Sequence, residues 1–386
     1  MTNHPVYLDY NGTTPIDPQV AKAMLPYLHE HFGNPSSAHV FGRRTRQAVE
    51  QARGQMAKLL GCHPEEIVFT SGGTESNNHA LFGVTAALRE RGRHIVTSCV
   101  EHPAILEPCL ALIEQGFDVT FLPVDGHGRI AVSDLEAALR PDTVLVSIMH
   151  CNNEVGTLQP IAEIAPITQR RNIVLHTDAA QSVGKVPVRV DQLGVDLLTV
   201  AGQKLYAPKG VGALFVRRGT PLRRFFYGAG QERGMRPGTE NVLEIVGLGE
   251  AAVLVDERGL GETHHLERMR GLLREGLEAA LPDIVVHGHP EFRLPNTLSV
   301  AFPGCPADQL LGLLPGVAAS AGAACHAESV KISHVLAAMR IPTELARSTL
   351  RLSVGRFTTA DEIHRALAEI AAVVKRLRNG SAPQPE

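Results

Sequence analysis

The sequence predicts an α/β protein in which a large doubly wound unit is followed by a smaller α/β unit. Short runs rich in Val, Ile and Leu recur at 67–70, 94–98, 119–124, 144–150, 173–177, 197–200 and 212–216. They read as strands buried on both faces. Helical patterns lie between many of them, as a doubly wound core requires. The charge spacing over 251–281 reads as one long helix placed to link two lobes. A strand over 296–302, a helix over 307–314, an extended stretch over 317–324, a strand over 350–354 and a helix over 360–377 then make the smaller unit. The expected division is 16–255 for the large, ligand-binding unit and 1–15 with 256–378 for the small one, leaving 379–386, polar with two prolines, as a disordered tail.

Composition suits a large enzyme. With 386 residues, 44% of them hydrophobic and 20% charged, the chain can bury a substantial core. A net charge of -3 gives no electrostatic reason to expect nucleic acid as a partner. The first residues lack a basic start and an apolar core, so a cytoplasmic location is expected. The most apolar stretch, 310–325, is broken by Gly312, Pro315, Gly316 and Gly322, so no membrane partner is expected. Six cysteines form no Cys-x-x-Cys pair, which argues against a zinc or disulfide framework and suits a reducing compartment.

Three features point to one kind of chemistry. Lys204 sits between two apolar strand-like runs, where lost hydration makes its charged form costly and leaves an amine able to attack an aldehyde. A solvated surface lysine is the plainer reading of that residue alone. Upstream, the run 173–177 leads into Asp178, an acid at the carboxyl end of a strand, where open α/β sheets bind ligands. Such an acid can keep a pyridine nitrogen protonated, which pyridoxal phosphate needs to act as an electron sink. The third feature is the strand, turn and helix start over 66–78, where the backbone at Gly72 and Gly73 with Ser71, Thr74 and Ser76 can cradle a phosphate. Those hydroxyls serve equally as helix caps.

In that order, the three features resemble the pyridoxal-phosphate enzymes of the class V aminotransferase family, and most closely its cysteine desulfurases of the NifS and IscS type. The likeness spans nearly the whole chain: Val6-Tyr-Leu-Asp-Tyr-Asn-Gly-Thr-Thr-Pro15, Phe32-Gly-Asn-Pro-Ser36, Val100-Glu-His-Pro103, Met149-His-Cys-Asn-Asn-Glu-Val-Gly156, Gln231-Glu-Arg-Gly-Met-Arg-Pro-Gly-Thr239 and Leu350-Arg-Leu-Ser-Val-Gly-Arg356. The segments Ser320-Ala-Gly-Ala-Ala-Cys-His326 and Arg236-Pro-Gly-Thr-Glu-Asn241 look at least as much like the selenocysteine lyases of the same family. The resemblance implies the fold type I of pyridoxal-phosphate transferases, as in aspartate aminotransferase, and a homodimer. It also implies conversion of L-cysteine, or L-selenocysteine, to L-alanine, with the chalcogen left on an enzyme cysteine for release or for a sulfur-acceptor protein.

By the same resemblance, His102 stacks on the cofactor ring and shuttles protons, Asn153 contacts the ring hydroxyl and Gln181 lies beside that oxygen. Arg351 clamps the substrate carboxylate, for which its planar fork is suited. Thr239 reaches the phosphate held by the neighbouring subunit. Cys325 is the nucleophile that accepts sulfur, and the small residues 318–324 before it leave room for substrate. His326 follows it, but neighbours on an extended segment face opposite ways, so it is not expected to activate Cys325.

The chain departs from many relatives just before the lysine. Ala201 and Gln203 stand where they carry serine and histidine. Gln203 can still donate through its amide, whereas Ala201 cannot donate. One lost charge-assisted hydrogen bond weakens cofactor binding roughly 10- to 100-fold. Two other classes share part of this pattern: a class V aminotransferase, which needs no cysteine nucleophile, and a non-catalytic scaffold for sulfur acceptors.

Overall fold

The computed structural model describes residues 4–321 and 332–380. Cys325 and His326 therefore lie outside the described residues, as does all of the expected tail beyond Gly380.

In chain order the elements are β1 (Val6–Tyr7), α1 (Pro18–His29), α2 (Val40–Leu60), β2 (Ile67–Thr70), α3 (Gly73–Leu88), β3 (His94–Ser98), α4 (Pro103–Glu114) and β4 (Asp118–Leu122). They continue through α5 (Val132–Ala138), β5 (Thr143–Ser147), α6 (Ile161–Arg170), β6 (Val174–Asp178), α7 (Val190–Leu193), β7 (Leu197–Ala201), β8 (Gly212–Val216) and α8 (Val242–Ala280). The last part holds β9 (Val285–His287), β10 (Thr297–Ala301), α9 (Ala307–Gly312), β11 (Val317–Ala318), β12 (Ser320–Ala321), α10 (His334–Ala338), α11 (Thr343–Arg347), β13 (Thr349–Ser353) and α12 (Ala360–Arg378).

Seven strands form the larger sheet in the order β2-β8-β7-β6-β5-β3-β4. Strands β3 to β7 pair in parallel, and every residue of β2, β3, β5, β6 and β7 is buried, which explains why Val, Ile and Leu recur on both faces rather than alternating with exposed polar residues. The sheet is not wholly parallel, because β8 runs antiparallel to both β2 and β7. Residues 202–211 hold only a short 3-10 turn between β7 and β8, too little chain for a crossover helix. The chain must reverse there instead, and Lys204 lies in that reversal.

A four-stranded antiparallel sheet, β12-β13-β10-β9, packs with α9, α12 and the end of α8 around a second core. The amino-terminal segment joins it: β1 pairs in parallel with β11, and Ser353 donates its amide to the Leu8 carbonyl at 2.7 Å. In β13, Arg351 stands opposite Ser299 of β10 and Ser320 of β12. The expected long helix begins earlier than its charge pattern suggested, at Val242, and is broken by Gly259 at φ 43° and ψ -131°. Its first half buries Leu248, Ala251 and Leu254 in the larger core, and its second half buries Leu266, Met269 and Leu273 in the smaller one. Although they belong late in the chain, Val335, Leu336, Met339 and Ala346 also pack into the larger core. Among the described residues no helix is long and apolar enough to cross a membrane.

Candidate active site

A cavity of about 380 Å³ opens at the carboxyl ends of the parallel strands. The position follows from topology, since strand ends there are followed by turns rather than by more sheet. The end of β3 leads to His102, that of β5 to Met149, Cys151 and Asn153, that of β6 to Asp178 and Gln181, and that of β7 to Gln203 and Lys204. Arg351 arrives from the smaller sheet, and Asn11 and Gly12 from the amino-terminal segment.

Lys204 donates from Nζ to the backbone carbonyls of Asn11 at 2.8 Å and Gly12 at 2.6 Å. Burial, assisted by the positive charge of Arg351, lowers its pKa to about 8, against the opposing pull of Asp9 and Asp178. Asp178 is buried, and both its carboxylate oxygens already accept hydrogen bonds: Oδ2 from Asn77 Nδ2 at 2.7 Å and Oδ1 from the Ala180 amide at 2.9 Å. The Oδ1 atom of Asn77 has no partner among the described residues. An acid held this way presents a fixed negative charge to the cavity.

Helix α3 begins at the cavity edge with no side-chain cap. Its N-cap is Gly72 at φ 143°, and Ser71, Gly72, Gly73 and Thr74 all line the cavity. Uncapped amides at the start of this long helix make a concave site suited to an anion. A Cβ on Gly73 would stand 3.3 Å from the Cβ of Ala201, so a larger residue there would fill the cradle. Ser76 does not take part, because its buried hydroxyl shares a 2.8 Å hydrogen bond with Thr70 Oγ1. Glu75, which also borders the cavity, accepts from the Ser71 amide at 2.9 Å and pairs with Arg236 at 3.0 Å, which fixes the turn.

His102 is the N-cap of α4, its Nδ1 accepting from the Ala104 amide at 3.0 Å. That bond leaves Nε2 as the protonated nitrogen of the neutral ring. Burial, with lesser contributions from Lys204 and His334, holds its pKa below the usual histidine value. Arg351 forms an ion pair with Asp9 at 2.7 Å and donates to the Asn153 carbonyl at 3.3 Å, while its buried Nε has no partner among the described residues.

Of the residues singled out in the sequence, Gly73, Thr74, His102, Asn153, Asp178, Gln181, Gln203, Lys204 and Arg351 border this one cavity, and Ala201 completes its floor. Thr239 does not border it and is exposed. Four further residues matter here that sequence reasoning left unassigned. Asn77 holds Asp178, Asp9 holds Arg351, and Asn11 meets Lys204, Gln181 and Asn153 at once. Lys185 lies buried behind Gln181 and donates to its Oε1 at 2.7 Å. Their only sequence signal is a place inside the long motifs or next to them, as with Asn77 one turn beyond Gly73.

The aminotransferase class-V family model matches residues 6–366. A cysteine desulfurase IscS of Dictyoglomus turgidum is 46% identical over 383 residues, covering 99% of this chain and 97% of that protein. The human cysteine desulfurase is 43% identical and covers 98% of this chain and 83% of its own. Among solved structures, a NifS-like protein superposes with a TM-score of 0.91 at 38% identity, covering 96% of this chain and 99% of its own. The protein SspA in complex with cysteine superposes with a TM-score of 0.79 at 36% identity, covering 92% and 99%. With a fold type I arrangement, a family match over residues 6–366 and likeness to these proteins over almost its full length, this chain is a member of the class V aminotransferase family.

Proposed function

We propose that this chain is a pyridoxal-phosphate-dependent cysteine desulfurase, which takes sulfur from L-cysteine onto Cys325 and releases L-alanine. The observation that carries the reading is the meeting, on one cavity, of an amine with a pKa near 8, a buried carboxylate and an uncapped helix start. That donor set fits the cofactor part by part: Lys204 for the aldehyde, Asp178 for the ring nitrogen, and the α3 amides with Ser71 and Thr74 for the phosphate. When bound, the cofactor supplies an electron sink for the negative charge that develops at the substrate Cα.

The remaining work falls to the chain itself. Lys204 Nζ would hold the cofactor aldehyde and, when free, act as the base that removes the substrate Cα proton; a pKa lowered to about 8 leaves it a usable fraction of free amine near neutral pH. Asp178, fixed by Asn77 and the Ala180 amide, would keep the ring nitrogen of a bound cofactor protonated. His102, with Nε2 protonated, is placed at the cavity wall to move a proton to or from substrate. Arg351 orients the substrate carboxylate, which must share the guanidinium with Asp9. The Cys325 thiolate attacks the substrate sulfur; an S–S bond forms as the C–S bond breaks, and the electron pair stays with the carbon that becomes alanine. The resulting persulfide is handed to a thiol reductant or a sulfur-acceptor protein.

By family likeness we infer a homodimer in which Thr239, exposed and away from this chain's own cavity, completes the phosphate site of the partner. Cys62, Cys99, Cys109, Cys151 and Cys305 are all free thiols, in keeping with a reducing, cytoplasmic setting.

The test is alanine formation from L-cysteine and L-selenocysteine by the purified holoprotein with reductant, alongside Cys325→Ala. Comparable rates on the two substrates, with sulfur turnover lost in the variant and the cofactor absorbance kept, are expected. Turnover of selenocysteine alone would reassign the chain as a selenocysteine lyase, and full sulfide release by the variant would remove Cys325 from the mechanism.

A further inference from the structure

Lys185 is a second lysine in this part of the molecule, buried where Lys204 is half-buried, and the chemistry proposed above has no use for it. Only 6% of it is exposed, and it forms no ion pair among the described residues. Leaving an amine buried without a carboxylate is costly, so its hydrogen bonds define what it contributes. Its Nζ donates to Gln181 Oε1 at 2.7 Å and lies 3.4 Å from Asn11 Oδ1. Gln181 in turn donates from Nε2 to the Asn11 carbonyl at 2.9 Å, the same carbonyl that accepts from Lys204 at 2.8 Å. Asn11 is fixed independently, its Oδ1 accepting from Asn296 at 2.9 Å and its Nδ2 donating to Thr297 Oγ1 at 2.7 Å.

The two ends of the Gln181 amide are thereby assigned. Lys185 supplies a donor to the oxygen, and the Asn11 carbonyl takes one proton from the nitrogen. The second Nε2 proton has no protein partner among the described residues, and Gln181 lines the cavity. We propose that Lys185 is a positioning residue, which locks the Gln181 amide so that it offers an N–H rather than an oxygen to an anionic oxygen on the cofactor ring. The proposal rests on the pyridoxal-phosphate reading above. Burial lowers the Lys185 pKa to about 7, with Lys204 and Arg351 acting in the same sense and Cys151 and Glu262 opposing. The amine keeps N–H donors in either protonation state.

A double-mutant cycle tests this on holoprotein, with Lys185→Met and Gln181→Met alone and together. The first reading is the rate at which the cofactor absorbance is lost after dilution into a carbonyl scavenger. Each single variant is expected to lose cofactor roughly 10- to 100-fold faster, the effect of one hydrogen bond to a charged group. The double variant should be no faster than Gln181→Met, because Lys185 acts through that side chain. Lys185→Arg, which keeps a donor, should recover part of the loss, and the absorbance maximum should shift in both Met variants. Multiplying effects in the double variant, or a wild-type rate in Lys185→Met, would overturn the proposal. Should Lys185→Met fail to fold, a wild-type rate in Gln181→Met overturns it alone, since that substitution lies on the cavity wall. A wild-type protein that neither carries nor takes up pyridoxal phosphate would instead refute the underlying reading, and is recognised before any variant is made.

Discussion

On the large-sheet side of the cavity, Asp178 accepts from Asn77 and from a backbone amide, and Lys204 donates to two carbonyls. On the small-sheet side, Arg351 is held by the carboxylate of Asp9, with its Nε left over. The first wall is bound to neutral partners that leave its charges free for a ligand. The second is bound to a competitor carrying the same charge as the substrate carboxylate. A cofactor therefore meets groups already set for it, whereas a substrate must trade one ion pair for another. Pre-organisation of the first kind lowers the cost of binding, and competition of the second kind restrains affinity for the substrate.

The largest expected effect breaks the first wall. Lys204→Ala removes both the cofactor attachment and the base, and alanine formation should fall by about 10⁴-fold, read as single-turnover product release. Next comes the second wall. Arg351→Lys keeps the charge but loses the fork, so KM for cysteine should rise roughly 10-fold with a smaller change in kcat; an unchanged KM would mean that the carboxylate is held elsewhere.

The pH dependence links the two. Below the Lys204 pKa of about 8 the amine is protonated and cannot attack an aldehyde, so pyridoxal-phosphate uptake by the apo protein should quicken about tenfold per pH unit and level off above that value. Asp9 raises that pKa and Arg351 lowers it. Asp9→Asn should accordingly move the midpoint to lower pH while lowering KM a few-fold, because the competitor for Arg351 has lost its charge. A midpoint unmoved in Asp9→Asn would show that the two walls act separately. A last effect belongs to the cradle. Ala201→Ser places a hydroxyl facing Gly73 and should slow cofactor loss to a carbonyl scavenger, at most roughly 10-fold.

How far each part could be read from the sequence follows from the range of its contacts. Lys204, Asp178 and the turn before α3 each sit at the end of a buried strand, so local pattern alone marks them. The strand register that delivers Arg351 to the cavity is set by pairing with β10 and β12, and the sequence suggested its role only through family likeness. Asn11, Asn77 and Lys185 act through partners that are remote in sequence or lie across a turn, and an isolated Asn or Lys carries no signal of that. The antiparallel course of β8 was equally hidden, since its apolar run is the same whichever way it points. The start of α8 was missed because its first eight residues, 242–249, carry a single charge, Glu244, so the charge spacing marks the helix only from about Glu250 onward.

The break at Gly259 gives α8 two hydrogen-bond ladders on one continuous backbone, each anchored in a different core. Amide exchange along these 39 residues should therefore divide at that glycine into two blocks with separate protection. A destabilising change such as Leu273→Ala would lower protection in the second block while the first kept its own, a partition that a single thermal melting curve would average away.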